Sequence, residues 1–134
     1  MSIKLSTISR YGLRAMIELA KNKDKSFVSL REISEKQGIP LRYLENIMLK
    51  LSSSGLVLSS RGKGGGFTLV KDPSSIKISD IIKALEGDTS FVPCVDNPSL
   101  CPRTNCCETR PLWVELKEAF WKVLDSRKLS DLLK

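Results

Sequence analysis

Histidine is absent from the 134 residues. That removes Ser-His and Cys-His catalytic dyads and every histidine-ligated metal site. No apolar run approaches the roughly 18 residues of a membrane span, so no membrane partner is expected. Residues 1–10 are mixed and polar. They lack the apolar core of a secretory signal, which makes the cytoplasm the expected location. No paired-carboxylate signature or cofactor motif stands out, so the chain does not read as an enzyme. Cysteine is scarce and unevenly placed: all four lie in one 14-residue stretch, as Cys94, Cys101, Cys106 and Cys107. In a cytosolic protein such a cluster points to metal or redox chemistry rather than stored disulfides.

Charge is uneven too. Residues 1–70 carry 12 Lys/Arg against 5 Asp/Glu, while residues 71–134 carry 10 of each. The whole net charge of +7 therefore sits in the N-terminal half. An acidic polymer is its natural partner, although a solubilising surface would also explain a modest excess.

Leu13, Met16, Ile17 and Ala20 recur at helical spacing, which predicts an amphipathic helix over about residues 9–22. Ser29 to Glu32 reads as a capping box opening a second helix, which Gly38 ends. A third helix starts near Leu41, with Leu41, Leu44, Met48 and Leu51 on one face. Two short apolar runs, 56–58 and 67–70, flank a glycine-rich tip and predict a β-hairpin. Ser79 or Asp80 caps a short helix carrying Ile81, Ile82 and Leu85. Residues 88–110, with Pro93, Pro98, Pro102 and the cysteines, show no helix or strand period. Thr109 then caps a long helix with Pro111 in its first turn. Its stripe of Leu112, Trp113, Leu116, Phe120, Val123 and Leu124 exceeds what a small domain needs, so a second copy is the expected cover. The fold class is mainly α with a small β-hairpin wing: a winged helix-turn-helix domain (1–87), a cysteine loop (88–110), and a dimerisation helix with a C-terminal tail (111–134).

Two helices joined by a tight turn and followed by a hairpin have the order of a winged helix-turn-helix, whose second helix enters the major groove of DNA. Arg42, Tyr43, Glu45 and Asn46 lie near that helix's start. Arg can clamp guanine, Asn can pair with adenine and Glu can accept from cytosine. Tyr43 and Lys50 suit phosphates. At the hairpin tip, Arg61, Gly62, Lys63, Gly64 and Gly65 join two cations to a bare backbone suited to phosphate or a narrow minor groove. A nucleotide-phosphate loop fails on spacing, since no Gly-Lys-Ser/Thr follows. An ordinary helical hairpin with a solvated ribbon is the plain alternative.

The spacing Cys94-x6-Cys101-x4-Cys106-Cys107 is not that of a zinc finger, which prefers two close pairs. Thiolates on a proline-stiffened loop suit an iron–sulfur cluster, with structural zinc and reversibly oxidised thiols as the alternatives.

Taken together, the runs 10–16 (RYGLRAM), 33–39 (ISEKQGI), 43–45 (YLE), 61–67 (RGKGGGF) and 111–113 (PLW) resemble the IscR-type iron–sulfur cluster regulators, whose relatives include NsrR, RirA and CymR. The resemblance spans nearly the whole chain. It implies a homodimer joined through the long C-terminal helix, reading a palindromic operator in double-stranded DNA, and repressing or activating transcription, with repression the expected mode, as its affinity or site choice follows cluster state. It matches Arg42, Tyr43, Glu45 and Asn46 to the recognition helix and Arg61 with its glycines to the wing. Cys94, Cys101 and Cys107 match the three cluster cysteines, which implies a 2Fe-2S cluster, one per protomer. The chain departs from the pattern at the fourth ligand. Arg110 stands where IscR supplies a histidine, and Arg10 where NsrR-like members use an acidic residue; neither guanidinium can ligate. Cys106, Glu108 and Asp96 are the nearby substitutes, with a group from the other protomer or a small thiol as the further alternatives. A cluster-free zinc- or thiol-based regulator on the same scaffold is the alternative.

Overall fold

The computed structural model describes residues 4–24, 27–62, 64–87, 91–100, 102–103 and 105–133. Lys63 and Cys101, both singled out above, lie outside the described residues.

Helix α1 (Thr7–Lys21) begins at Ser6, whose hydroxyl accepts the amide of Ser9. Such a cap satisfies one of the donors that a helix start leaves unpaired. Helix α2 (Leu30–Gln37) is capped likewise by Ser29, which accepts from the Glu32 amide. Gly38 ends it in the left-handed conformation at φ 65°. The turn after it is fixed twice: the Ile39 amide donates to the Ser34 carbonyl, and the Ser34 hydroxyl donates to the Ile39 carbonyl at 2.6 Å. Helix α3 (Leu41–Ser53) follows at once. Its inward face is Leu44, Ile47, Met48 and Leu51, each at most 1% exposed. Leu41, expected on that face, is instead exposed: it opens the helix, and the buried arc is centred on Leu44, Ile47 and Leu51, which leaves Leu41 at its edge.

Strands β1 (Val57–Ser60) and β2 (Gly66–Leu69) pair antiparallel in the register Val57–Leu69 to Ser60–Gly66. Val28 bridges to Phe67 with both backbone hydrogen bonds at 2.8 Å, which anchors the ribbon to the segment before α2. Helix α4 (Ile78–Glu86) lies across α1 and α3. Neither expected cap is used: Lys77 stands at the cap position, α4 starts at Ile78, and the Ser79 hydroxyl is buried without a hydrogen-bond partner. Gly12 lets α1 and α4 meet closely, since a Cβ there would run into the Leu85 methyls. Glu86 ties the same contact, its Oε1 accepting from the Ser6 amide and the Ser9 hydroxyl, both at 2.9 Å.

Within 88–110, where no regular structure was expected, a short helix α5 (Pro93–Asp96) and a 3-10 turn (Pro98–Leu100) form. Prolines that remove donors inside a helix are tolerated in its first turn, which is where Pro93 and Pro98 stand. Helix α6 (Arg110–Asp125) packs on α4. Its buried anchor is Trp121 at 8% exposure, while Leu112, Leu116 and Val123 are exposed. The stripe read from the sequence omitted this inward tryptophan. After α6 the chain turns back: Leu129 donates to the Ile76 carbonyl at 2.9 Å, and Ile78 donates to that of Arg127 at 3.0 Å. Leu129 is fully buried in the core shared by α1, α3 and α4. What reads as a tail therefore completes the N-terminal layer.

Candidate nucleic-acid interface and cysteine loop

The outward face of α3 carries Arg42, Glu45 and Asn46, all exposed and clustered by their three- and four-residue spacing. Tyr43 is half-buried at the edge of this face. Its ring meets that of Tyr11 from α1 edge-on, with centroids 5.5 Å apart, and the Arg42 guanidinium lies 5.0 Å over it. Arg14 stacks in turn over Tyr11 at 5.6 Å. The two tyrosines hold the start of α3 against α1 and present cations on either side. Tyr11 and Arg14 went unremarked in the sequence because 32 positions separate the two rings, and no periodicity links residues so far apart.

Lys50 points elsewhere. Its ammonium donates to the Leu85 carbonyl at 3.4 Å, at the C-terminal end of α4. A cation there complements the unpaired carbonyls of that helix end. The structure therefore does not bring Lys50 together with Arg42 and Asn46.

At the hairpin tip Arg61 is exposed. The glycines divide into two kinds. Gly62 and Gly64 have φ of +91° and +80° with open space around them, so their backbones are free to meet a ligand. Gly65 and Gly66 are required by the fold itself: a side chain at Gly65 would strike the Ser60 carbonyl, and one at Gly66 the Val28 backbone.

Cys94, Cys106 and Cys107 are free thiols, with Cys106 exposed. The Cys107 Sγ lies 3.2 Å from the Thr109 Oγ1, and that hydroxyl, with the amides of Thr109 and Arg110, pulls the thiol below its ordinary pKa. Thr109 was expected to cap α6; its side chain makes no capping bond and serves the sulfur instead. The Arg110 Nε is buried without a hydrogen-bond partner. Asp96, a candidate fourth ligand, is engaged by Lys117 of α6 at 3.1 Å. Phe91 also docks the loop on α6, edge-on to Phe120 at 5.3 Å; Phe120 contacts Trp121 in the same way, and Lys83 of α4 lies over the Trp121 ring. Among the described residues no group of three or more His, Cys, Asp or Glu is close enough to hold a metal ion. No helix among them is long and apolar enough to cross a membrane.

The Rrf2 family, described as "Iron-dependent Transcriptional regulator", matches residues 5–134. The regulator IscR of Klebsiella pneumoniae is 37% identical over 131 residues, which cover 98% of this chain and 80% of that protein. Two solved structures superpose with TM-scores of 0.80. One is T. potens IscR, at 37% identity over 98% of this chain and 87% of that one. The other is CymR, the global cysteine regulator of B. subtilis, at 38% identity over 98% of this chain and 96% of that one. These neighbours are winged-helix transcription regulators and not enzymes. On the match over all but its first four residues, this chain belongs to the Rrf2 family of transcriptional regulators.

Proposed function

We propose that this regulator binds a palindromic operator in double-stranded DNA as a homodimer and represses transcription, and that an iron–sulfur cluster on Cys94, Cys101 and Cys107 sets how well it binds. The observation that carries the DNA half is the division of α3. One face is buried to within 1%, while Arg42, Glu45 and Asn46 stand exposed together on the other. A helix that presents clustered base-reading side chains beside a glycine-tipped wing suits a major groove with Arg61 in the adjacent minor groove. The exposed Leu112, Leu116 and Val123 of α6 give a second copy an apolar surface to cover. Arg42→Ala and Asn46→Ala should each weaken binding by about 1–3 kcal/mol and relax the site at one position. Affinity should fall with salt at a log–log slope of about 0.9 per phosphate contact. A slope near zero, or variants as tight and selective as the parent, would refute the reading.

The cysteine loop fits a thiolate-ligated group. The thiolate is the form that binds iron, and the surroundings of Cys107 favour it. The buried, unpartnered Arg110 Nε supplies a donor beside an anionic centre. Cys106 or Glu108 completes the ligand set. A 2Fe-2S cluster held there, one per protomer, supplies an iron- and redox-responsive centre. The chain's own part is to transmit the state of the loop. Phe91 and Asp96 hold it on α6, and Trp121 joins α6 to α4, on which α3 rests. Protein purified without oxygen should be brown-red, with about two irons and acid-labile sulfide per chain. Cys94→Ala should abolish the colour, and Cys106→Ala compared with Glu108→Ala should locate the fourth ligand. The second reading is a cluster-free thiol or zinc regulator, favoured by the likeness to CymR and by the exposed Cys106 next to Cys107. Colourless protein that binds DNA and loses affinity on oxidation, or holds one zinc per chain, would replace the cluster with that reading.

A further inference from the structure

We propose that Leu49 is a base-reading residue that recognises the methyl group of a thymine. This rests on α3 being the major-groove helix. Leu49 follows Arg42 by seven residues, Glu45 by four and Asn46 by three, so it continues the same outward face. At about 1.5 Å of rise per residue it lies about 10 Å beyond Arg42 along the helix, or about three base-pair steps. At 66% exposure it is the most exposed large hydrophobic side chain among the described residues. Of the other exposed apolar side chains of the long helices, Leu41 opens α3 beside its buried arc, about 80° around the helix from Leu49, and Leu112, Leu116 and Val123 belong to α6, on the surface proposed for a second copy. Leu49 stands alone among polar readers. The adjacent Lys50 does not shield it, because its ammonium is tethered inward to the Leu85 carbonyl. Of the groups on the edges of base pairs in the major groove, the C5-methyl of thymine is the apolar one. Leucine in this position has nothing to offer guanine, cytosine or adenine, so it imposes a T·A pair one step past the bases that Asn46 reads.

The full-length protein is first used to select its preferred sequence from a random duplex library. Each thymine of the selected half-site is then replaced by deoxyuridine, which removes only the methyl, and binding of parent and Leu49→Ala is measured by fluorescence anisotropy. At one thymine per half-site, losing the methyl should weaken the parent about fourfold, equivalent to about 0.8 kcal/mol for one buried carbon. Leu49→Ala should bind the thymine and deoxyuridine duplexes equally, and a selection with it should lose the T·A preference at that position alone. The variant keeps its fold, since an exposed leucine gives way to the best helix former; circular dichroism verifies this. If no thymine shows a methyl effect that the variant lacks, or if the variant selects an unchanged site, the assignment of Leu49 is wrong. Arg42→Ala and Asn46→Ala, selected in parallel, separate the two levels: sites unchanged for these as well would remove α3 from the groove, whereas altered sites with an unaltered Leu49→Ala site would remove Leu49 alone.

Discussion

Truncating Leu129 to alanine tests whether the segment after α6 belongs to the N-terminal core. The side chain has no solvent exposure and joins a cluster with residues of α1, α3 and α4. Its backbone amide is also bonded to the Ile76 carbonyl, which fixes the place of the returning segment. Removing a leucine from such a position costs about 3 kcal/mol, toward the lower end of the usual span for buried leucines. For a chain of this length an unfolding entropy of about 2.1 cal/mol/K per residue converts that loss into a fall in melting temperature of about 10 °C. The assay is urea unfolding and thermal melting followed by circular dichroism at fixed protein concentration, so that any self-association affects parent and variant alike. Leu132→Ala, which truncates a leucine 37% exposed three residues further on, is the internal control and should lose under about 1 kcal/mol. If Leu129→Ala cost no more than its control, the return of the chain onto residues 76–78 would not exist in solution and the core would end at α6.

Glu86 accepts two hydrogen bonds that hold its carboxyl below the ordinary glutamate pKa, the Ser6 contact being the largest cause. Its stabilising effect is therefore complete above about pH 4.5 and is lost as pH falls through the lower folded value. Glu86→Gln should flatten the dependence of the urea midpoint on pH in that acid window; an unchanged slope would show that the contact carries no linkage. At the wing, Gly66→Ala should destabilise by more than Gly62→Ala: the first drives a Cβ into the Val28 backbone, the second adds only the strain of a positive φ, about 1–3 kcal/mol. Equal losses in thermal melts would remove the steric argument. In cluster-free protein, Thr109→Val should slow alkylation of Cys107 at pH 7 and leave the rate unchanged at pH 10, read by peptide mass spectrometry, because the hydroxyl that lowers the thiol pKa is gone. A rate that ignores the substitution at both pH values would mean that the hydroxyl does not stabilise the thiolate.

Much of this was legible because the signals were local. Ser29 and Gly38 mark the two ends of α2 by their own chemistry, and the glycine run between two apolar segments marks the hairpin. What stayed hidden required contacts distant in sequence. Lys50 has the charge and position of a phosphate ligand, but the end of α4 claims it, and nothing near residue 50 announces residue 85. Leu129 lies in a short polar segment with no period, and only the backbone pairing with residues 76–78 reveals its burial. Thr109 has the residue type and the place of a helix cap, yet its hydroxyl goes to a sulfur two residues earlier. The glycine run looked uniform, whereas two of its members are demanded by neighbouring backbone and two are not.

The return of the chain onto residues 76–78 constrains how the proposed two-headed reader can behave. The last turns of helix α6 are bolted to α4 through Trp121, and the segment that follows the helix is bolted to the N-terminal core through Leu129. A helix fastened twice is an axle and not a tether: each head turns with its axle as one piece. If two copies meet as proposed, the distance between heads is then built in, and inserting a single base pair between half-sites would leave one head facing the wrong side of the duplex with no slack to follow it.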